Sequence, residues 1–125
     1  MATNKNGEGT INALSFYKCL ADETRLKCLL LMLNEGELCV CEFVSALALP
    51  QPKISRHLAL LRQQELIQDR RQGQWVFYRV NPQLATWATN VLKNTLAANP
   101  EFIRENLAKL NEMGQRPERL SACCP

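Results

Sequence analysis

The sequence lacks the segments that direct a chain into a membrane or out of the cell. No apolar run reaches the roughly 20 residues of a transmembrane helix, and residues 1–10 are polar, without the apolar core of a signal peptide. Six cysteines without an export signal do not indicate a disulfide framework, so reduced thiols are expected. We therefore predict a cytoplasmic protein that does not associate with membranes.

The sequence is also short of the residues that common zinc and thiol-enzyme sites need. His57 is the only histidine, and residues 84–96, which have the apolar period of a helix, contain no histidine, aspartate or glutamate. This excludes a carboxylate–histidine zinc site on that helix. There is no Cys-x-x-Cys pair and no parallel-strand pattern, which argues against a thiol reductase, and we predict no enzymatic activity.

What is present is the composition of one folded domain. The 125 residues are 46% hydrophobic and 22% charged, which is typical of globular proteins. We predict a domain over residues 11–113, between a disordered tail (1–10) and a flexible, cysteine-containing tail (114–125). The net charge is only +3, but residues 51–80 contain six cations and two acids. Such a local excess of positive charge suits DNA phosphates.

Residues 42–66 have the pattern of a helix-turn-helix. A short apolar segment ends at Pro50, and Ile54, Leu58 and Leu61 then recur at helical spacing within residues 52–64. Polar and basic side chains crowd into the first two turns of this second helix, the part that enters the major groove of DNA in such motifs. The predicted contacts to DNA come from Gln51, Lys53, Ser55, Arg56 and His57.

A β-hairpin is predicted directly after the helix-turn-helix. Residues 66–67 and 75–78 are rich in strand formers, and residues 70–74 between them form a glycine-containing turn. A helix-turn-helix followed by a basic hairpin is a winged helix. We predict that Arg70, Arg71 and Gln74 contact phosphates or the minor groove. The alternative is that these side chains are only a solvated turn.

Amphipathic helices are predicted on both sides of the winged core. They cover residues 11–20, 22–36, 37–47, 84–96 and 100–114. The apolar faces of the segments 11–20 and 84–96 are not needed by the winged core, so we predict that they form a two-fold dimer interface; the alternative is that they complete a monomeric core. The predicted fold is mainly α, a winged helix-turn-helix with a two-stranded β-hairpin wing and flanking dimerisation helices.

Cys39 and Cys41 are the sharpest chemical feature of the sequence. Two thiolates this close together can chelate a soft ion, and they lie just before the helix-turn-helix. The alternative is that both are small buried apolar residues. A second pair, Cys123 and Cys124, stands near the end of the chain, and Cys28, among leucines, is predicted to be part of the core.

Four blocks of the sequence resemble the ArsR/SmtB family, and they are most similar to its arsenic-responsive repressors. The blocks occur in order between residues 16 and 87, as LADETRL at 20–26, ELCVCE at 37–42, QPKISRHLALL at 51–61 and GQWVFYR at 73–79. The resemblance implies a homodimeric winged-helix repressor of double-stranded operator DNA. It also implies that trivalent arsenic or antimony binds cysteine thiolates and releases the DNA.

One position departs from the arsenic-sensing pattern. A third cysteine normally stands three positions after the second of the pair, where this chain has Val44. The third ligand would then be Cys123 or Cys124, or an exogenous thiol would complete a site made by Cys39 and Cys41.

Two other functions stay open at this point. The first is a repressor that senses thiol oxidation, or another thiophilic metal, through a cysteine pair. The second is a dimeric interaction module that does not bind DNA. Salt-sensitive operator binding that Arg56→Ala abolishes would exclude the module.

Overall fold

The computed structural model describes residues 11–116 and residue 119. In this part of the chain the helices are α1 Ala13–Leu20, α2 Glu23–Glu35, α3 Val40–Leu47, α4 Gln51–Gln63, α5 Thr86–Ala98 and α6 Arg104–Glu112. The strands are β1 Leu38–Cys39, β2 Ile67–Gln72 and β3 Trp75–Val80, and a 3-10 helix covers Pro100–Ile103. None of these described helices is long and apolar enough to cross a membrane. Residues 1–10 and the pair Cys123 and Cys124 lie outside the description.

The limits of α2 follow from its two capping residues. The Asp22 carboxylate accepts a hydrogen bond from the backbone N–H of Arg25 at 3.0 Å, as an N-cap does. Gly36 ends the helix with a φ of +94°, a conformation that costs other residues energy. Between these caps α2 buries five consecutive residues, Cys28 to Met32, which makes it the centre of the core. Both predicted ends are confirmed.

Helices α3 and α4 form the predicted helix-turn-helix. The turn between them contains Ala48 in the left-handed conformation, with a φ of +55°. Helix α4 begins at Gln51, one residue before the predicted start, because Pro50 serves as its N-cap. The three apolar residues predicted for its inner face, Ile54, Leu58 and Leu61, are fully buried. The core therefore fixes the orientation of α4 and leaves its polar side chains outside.

Strands β2 and β3 form the predicted hairpin and pair in antiparallel register along their whole length. The turn that joins them is Gly73-Gln74, with a φ of +62° at Gly73, as hairpin turns that begin with glycine require. The turn is shorter than predicted. Arg70 and Arg71 belong to β2, where their backbones pair with β3.

The start of α3 differs from the prediction, which placed a helix from Glu37 onwards. Leu38–Cys39 is instead the strand β1, and it pairs antiparallel with β3 so that Cys39 lies opposite Phe77. The sheet has the order β1-β3-β2, and the predicted two-stranded wing gains a third strand. The cause is a long-range pairing, which a local helical period does not reveal. It joins the first cysteine of the pair directly to the wing.

The C-terminal helices close the core on the side of α3. The predicted helix after Asn99 begins as the 3-10 helix and continues as α6. The side chain of Asn106, which is largely buried, donates to the backbone oxygen of Ala46 at 2.9 Å. Leu110, four residues later in the same helix, is fully buried. This bond ties α6 to the first helix of the helix-turn-helix.

Candidate nucleic-acid interface and thiol site

The outer face of α4 presents most of the polar side chains predicted to contact DNA. Gln51 and Arg56 are exposed, and Lys53 and Ser55 are partly exposed. Ala59 is also exposed, so the middle of this face carries a small side chain. We call these five residues the reading face. A helix that carries short polar and basic side chains on the exposed face of its first turns has the shape that enters a major groove.

His57 lies beside the reading face, and its predicted contact to DNA stays a prediction. Its side chain is partly buried, and its Nδ1 atom lies 3.4 Å from a guanidinium nitrogen of Arg25 in α2. Burial lowers the pKa of His57, and the cations Arg25, Lys53 and Arg56 lower it further against the opposing effect of Asp22. The imidazole is therefore neutral at pH 7 and is directed toward α2.

The wing divides its predicted contact residues into two kinds. The guanidinium of Arg70 pairs with the carboxylate of Glu37, where Nε donates to Oε2 at 3.0 Å, and it lies 4.7 Å from the centroid of the Phe77 ring. The hydrogen bonds from Arg70 lower the pKa of Glu37, so this pair is charged at neutral pH. Arg71 and Gln74 are exposed on the strand and in the turn. Arg70 thus pairs with Glu37 while 46% of its side chain stays exposed, so all three residues lie on the surface of the wing.

One ion pair sets the wing against α4. The guanidinium of Arg62, near the end of α4, lies 3.3 Å from the carboxylate of Asp69 in β2. Both side chains are partly exposed, so the pair contributes about 1 kcal/mol or less to stability. The pair mainly fixes the position of the wing relative to α4, and these are the two elements with which a winged helix contacts DNA.

Residues 37–42, the thiol turn, contain the cysteine pair. Cys39 is the last residue of β1 and the N-cap of α3, and its side chain is only 2% exposed. Its backbone N–H donates to Oε1 of Glu42 at 2.9 Å. This is the carboxylate half of a capping box, with a thiol where serine or threonine usually stands. Cys41 is partly exposed and is disulfide-bonded, so the expectation of reduced thiols is wrong for Cys41, whereas Cys39 is a thiol as expected.

Glu42, the last residue of the thiol turn, is a fully buried charge. Arg116 donates to both of its oxygens, at 2.5 Å and 3.2 Å, and Arg119 donates to Oε2 at 3.1 Å. Burial would raise the pKa of Glu42. The hydrogen bonds from Arg116, from the Cys39 N–H and from Arg119 outweigh it and hold that pKa below its ordinary value. We call Glu42, Arg116 and Arg119 the Glu42 ion cluster.

The Glu42 ion cluster was not predicted from the sequence. The position of Glu42 three residues after an N-cap could have indicated a capping box. Nothing local links Glu42 to Arg116, which is 74 residues away. Both arginines fall within residues 114–125, the segment predicted to be a flexible tail, and the side chain of Arg119 is almost fully buried.

The other cysteines do not extend the thiol site in the described part of the chain. Cys28 is fully buried and burial raises its pKa to about 12, so it is an unreactive core thiol, as predicted. Burial also raises the pKa of Cys19. Among the described residues, no three His, Cys, Asp or Glu side chains are grouped as metal ligands. Cys123 and Cys124 lie outside those residues, so the third ligand stays a prediction.

The relationship to known proteins is decided by two comparisons. Residues 22–69 match the family described as bacterial regulatory protein, arsR family. Over 107 residues the chain is 51% identical to the arsenic resistance transcriptional regulator ArsR1 of Pseudomonas putida, which covers 86% of this chain and 84% of that protein. This chain belongs to the ArsR family. As a member of the ArsR family it is a helix-turn-helix transcriptional regulator that binds DNA.

Further members of the ArsR family agree in sequence and in fold. The arsenical resistance operon repressor of Escherichia coli is 46% identical over 104 residues, which are 81% of this chain and 89% of that repressor. The structure of HlyU from Vibrio cholerae superposes with a TM-score of 0.62 and 34% identity, over 69% of this chain and 89% of HlyU. The predicted family and the winged-helix fold are confirmed.

Proposed function

We propose that this protein represses an arsenic-resistance operon and leaves its operator when trivalent arsenic or antimony binds the thiolates of Cys39 and Cys41. The observation that carries the proposal is the position of Cys39, which belongs at once to the wing sheet and to the first helix of the helix-turn-helix. A ligand that moves this residue acts on both DNA-binding elements. The similarity to arsenic-resistance repressors over most of the chain supports the choice of ligand.

DNA recognition is assigned to the reading face and to the outer part of the wing. Gln51, Lys53, Ser55 and Arg56 meet the major groove, since arginine and glutamine are common readers of base edges and lysine binds phosphates. Arg71 and Gln74 supply the contacts of the wing. The protein regulates in this way in the cytoplasm, where operator DNA lies, and catalyses no reaction.

The two proposed ligands are not alike, and this bears on the mechanism. The Cys39 sulfur is buried, so a metalloid reaches it only after the thiol turn opens. Cys41 is more accessible, but its disulfide has to be reduced before it acts as a ligand. A third thiolate is assigned to Cys123 or Cys124, with an exogenous thiol as the alternative, because Val44 stands in the usual place.

The apolar surface of α1 and α5 supports a homodimer. Leu14, Tyr17 and Trp87 are 67%, 49% and 41% exposed, which is unusual for side chains of this size. The ring of Phe16 packs edge-to-face on Trp87 with 5.0 Å between centroids, so the two helices present one continuous surface.

Sedimentation velocity tests this homodimer. Leu14→Glu is expected to shift the protein from dimer to monomer, because it places a charge in the apolar interface. Asn111→Glu adds the same charge on the exposed side of α6 and is expected to stay dimeric. A Leu14→Glu variant that sediments with the wild-type dimer would contradict this interface.

Fluorescence anisotropy with labelled operator DNA tests the function. Reduced wild-type protein is expected to bind the operator and to release it on titration with arsenite. Cys39→Ser/Cys41→Ser is expected to bind DNA without release, whereas Cys28→Ala, a change at a core thiol, retains release. Binding without release by the wild type would eliminate arsenite as the effector.

The same assay locates the third ligand. Cys123→Ser/Cys124→Ser is expected to need more arsenite for release than the wild type. An unchanged arsenite response in this variant would show that the third ligand is an exogenous thiol or that two thiolates suffice.

The disulfide at Cys41 favours a second candidate function, a repressor that senses thiol oxidation. In that case a thiol oxidant such as diamide would release the operator from reduced protein, and a dithiol reductant would restore binding. Release by diamide in the absence of any response to arsenite would select this function over metalloid sensing.

A further inference from the structure

The Glu42 ion cluster places one side chain, Arg116, against both halves of the molecule that a sensing repressor has to connect. Its guanidinium binds the Glu42 carboxylate and donates to the backbone oxygen of Glu37 at 3.1 Å. It also lies 5.0 Å from the centroid of the Phe77 ring in β3. Phe77 is the residue paired with Cys39 across the sheet. Arg116 therefore contacts the thiol turn and the wing strand together.

A second arginine extends these contacts along the wing. Arg70 of β2 lies over the same Phe77 ring and pairs with the carboxylate of Glu37, whose backbone oxygen Arg116 binds. The thiol turn is thus held at two points, Glu37 and Glu42, by guanidinium groups that also contact the central wing strand. A change in the turn alters the surroundings of that strand.

The burial of Glu42 makes its carboxylate dependent on the two arginines. A fully buried carboxylate that loses its partners is strongly destabilising, so Glu42 stays buried only while the arginines are docked on it. Glu42 in turn holds the N–H of Cys39 and so fixes the N-cap of α3. Cluster and capped turn therefore form together and are lost together.

We propose that Glu42 and Arg116 are positioning residues that couple the thiol pair to the wing. This inference rests on the proposed function. In the DNA-binding form the cluster is closed and holds the thiol turn, the wing strand and the two arginines in one arrangement. Drawing the sulfurs of Cys39 and Cys41 onto one arsenic atom opens it. Cys39 has to leave its buried N-cap position to share a ligand with a more exposed residue of the first helical turn.

Linkage gives this proposal a signature that a merely structural role would not produce. If closing the cluster favours DNA and opposes arsenite, the coupling is reciprocal, and a variant without the cluster resembles the ligand-bound protein. It should bind operator more weakly and arsenite more tightly. The additional loss of DNA affinity on adding arsenite should be smaller than in the wild type.

The test compares Arg116→Ala with Arg104→Ala in full-length reduced protein. Arg104 is an exposed cation of α6, so its removal gives the same change in net charge without touching Glu42. Operator affinity is measured by anisotropy with and without arsenite, and arsenite affinity by the ultraviolet absorption of arsenic–thiolate bonds without DNA. Arg116→Ala is expected to bind operator about fivefold more weakly than Arg104→Ala, or worse, and arsenite tighter by a similar factor.

Two further variants keep the test decisive. Arg116→Lys preserves the charge opposite Glu42 and is expected to recover part of the wild-type coupling. Arg116→Gln replaces Arg116→Ala if circular dichroism shows that the alanine variant has lost helix.

Equal behaviour of the Arg116 and Arg104 variants in both affinities would overturn the inference and leave the proposed function intact. Weaker DNA binding without tighter arsenite binding would reduce Arg116 to a structural residue and overturn it as well. A wild type that binds DNA but no arsenite would overturn the proposed function and the coupling together.

Discussion

The reading face of α4 and the thiol turn at the start of α3 belong to neighbouring segments of the chain but are organised in opposite ways. The reading face stands on three buried aliphatic residues and exposes its polar side chains. The thiol turn buries its first cysteine and a carboxylate that accepts from the backbone N–H of that cysteine. The polar side chains of the reading face are accessible as the fold stands, whereas the Cys39 sulfur is not. The contrast leads us to expect that DNA and a thiol ligand make different demands on the fold.

The largest effect that sharpens this contrast is expected at Arg56. Arg56→Ala should weaken operator binding by about 1–3 kcal/mol, because it removes an exposed guanidinium from the reading face. The ratio of affinities with and without arsenite should not change, since Arg56 has no place in the thiol turn. Anisotropy titrations at several salt concentrations measure both quantities. An altered arsenite ratio in this variant would erase the distinction between the two regions.

A smaller effect is expected at His57, which the sequence analysis assigned to DNA. The pKa of His57 is lowered in the folded protein, so the unfolded chain binds a proton that the folded one rejects. Stability should therefore fall as the pH decreases below about 6.5, the ordinary pKa of histidine, and level off below the folded value. Urea unfolding between pH 7.5 and 5 compares the wild type with His57→Gln, which should lack this component. Operator affinity at pH 7.5 should differ little between them, and a loss as large as that of Arg56→Ala would restore His57 to the reading face.

Local patterns were sufficient to predict the elements to which DNA binding is assigned. The spacing of the apolar residues in α4, the caps of α2 and the glycine in the hairpin turn each specify backbone conformation within a few residues. The cysteine pair was also found from the sequence, because two cysteines separated by one residue are recognisable from their spacing alone. These features need no knowledge of distant parts of the chain.

The remaining features depend on residues that meet only in the folded chain. Strand β1 is two residues long and exists because β3 pairs with it. From the sequence alone Arg70 is a basic residue near a turn, and its pairing with Glu37 is visible only in the folded chain. The charge of Glu42 is tolerated inside the protein only because Arg116 and Arg119 return to it from the end of the chain. Periodicity and spacing contain no information about such partners.

The burial of Cys39 has a consequence for the speed of any reaction at this residue. A thiol that is 2% exposed meets a solute only during the moments when the turn around it is open. Adding more solute shortens the wait for an encounter but does not make the turn open more often. Above a certain solute concentration the rate at which Cys39 reacts is therefore set by how often the turn opens. A high concentration of solute then reacts no faster than a moderate one.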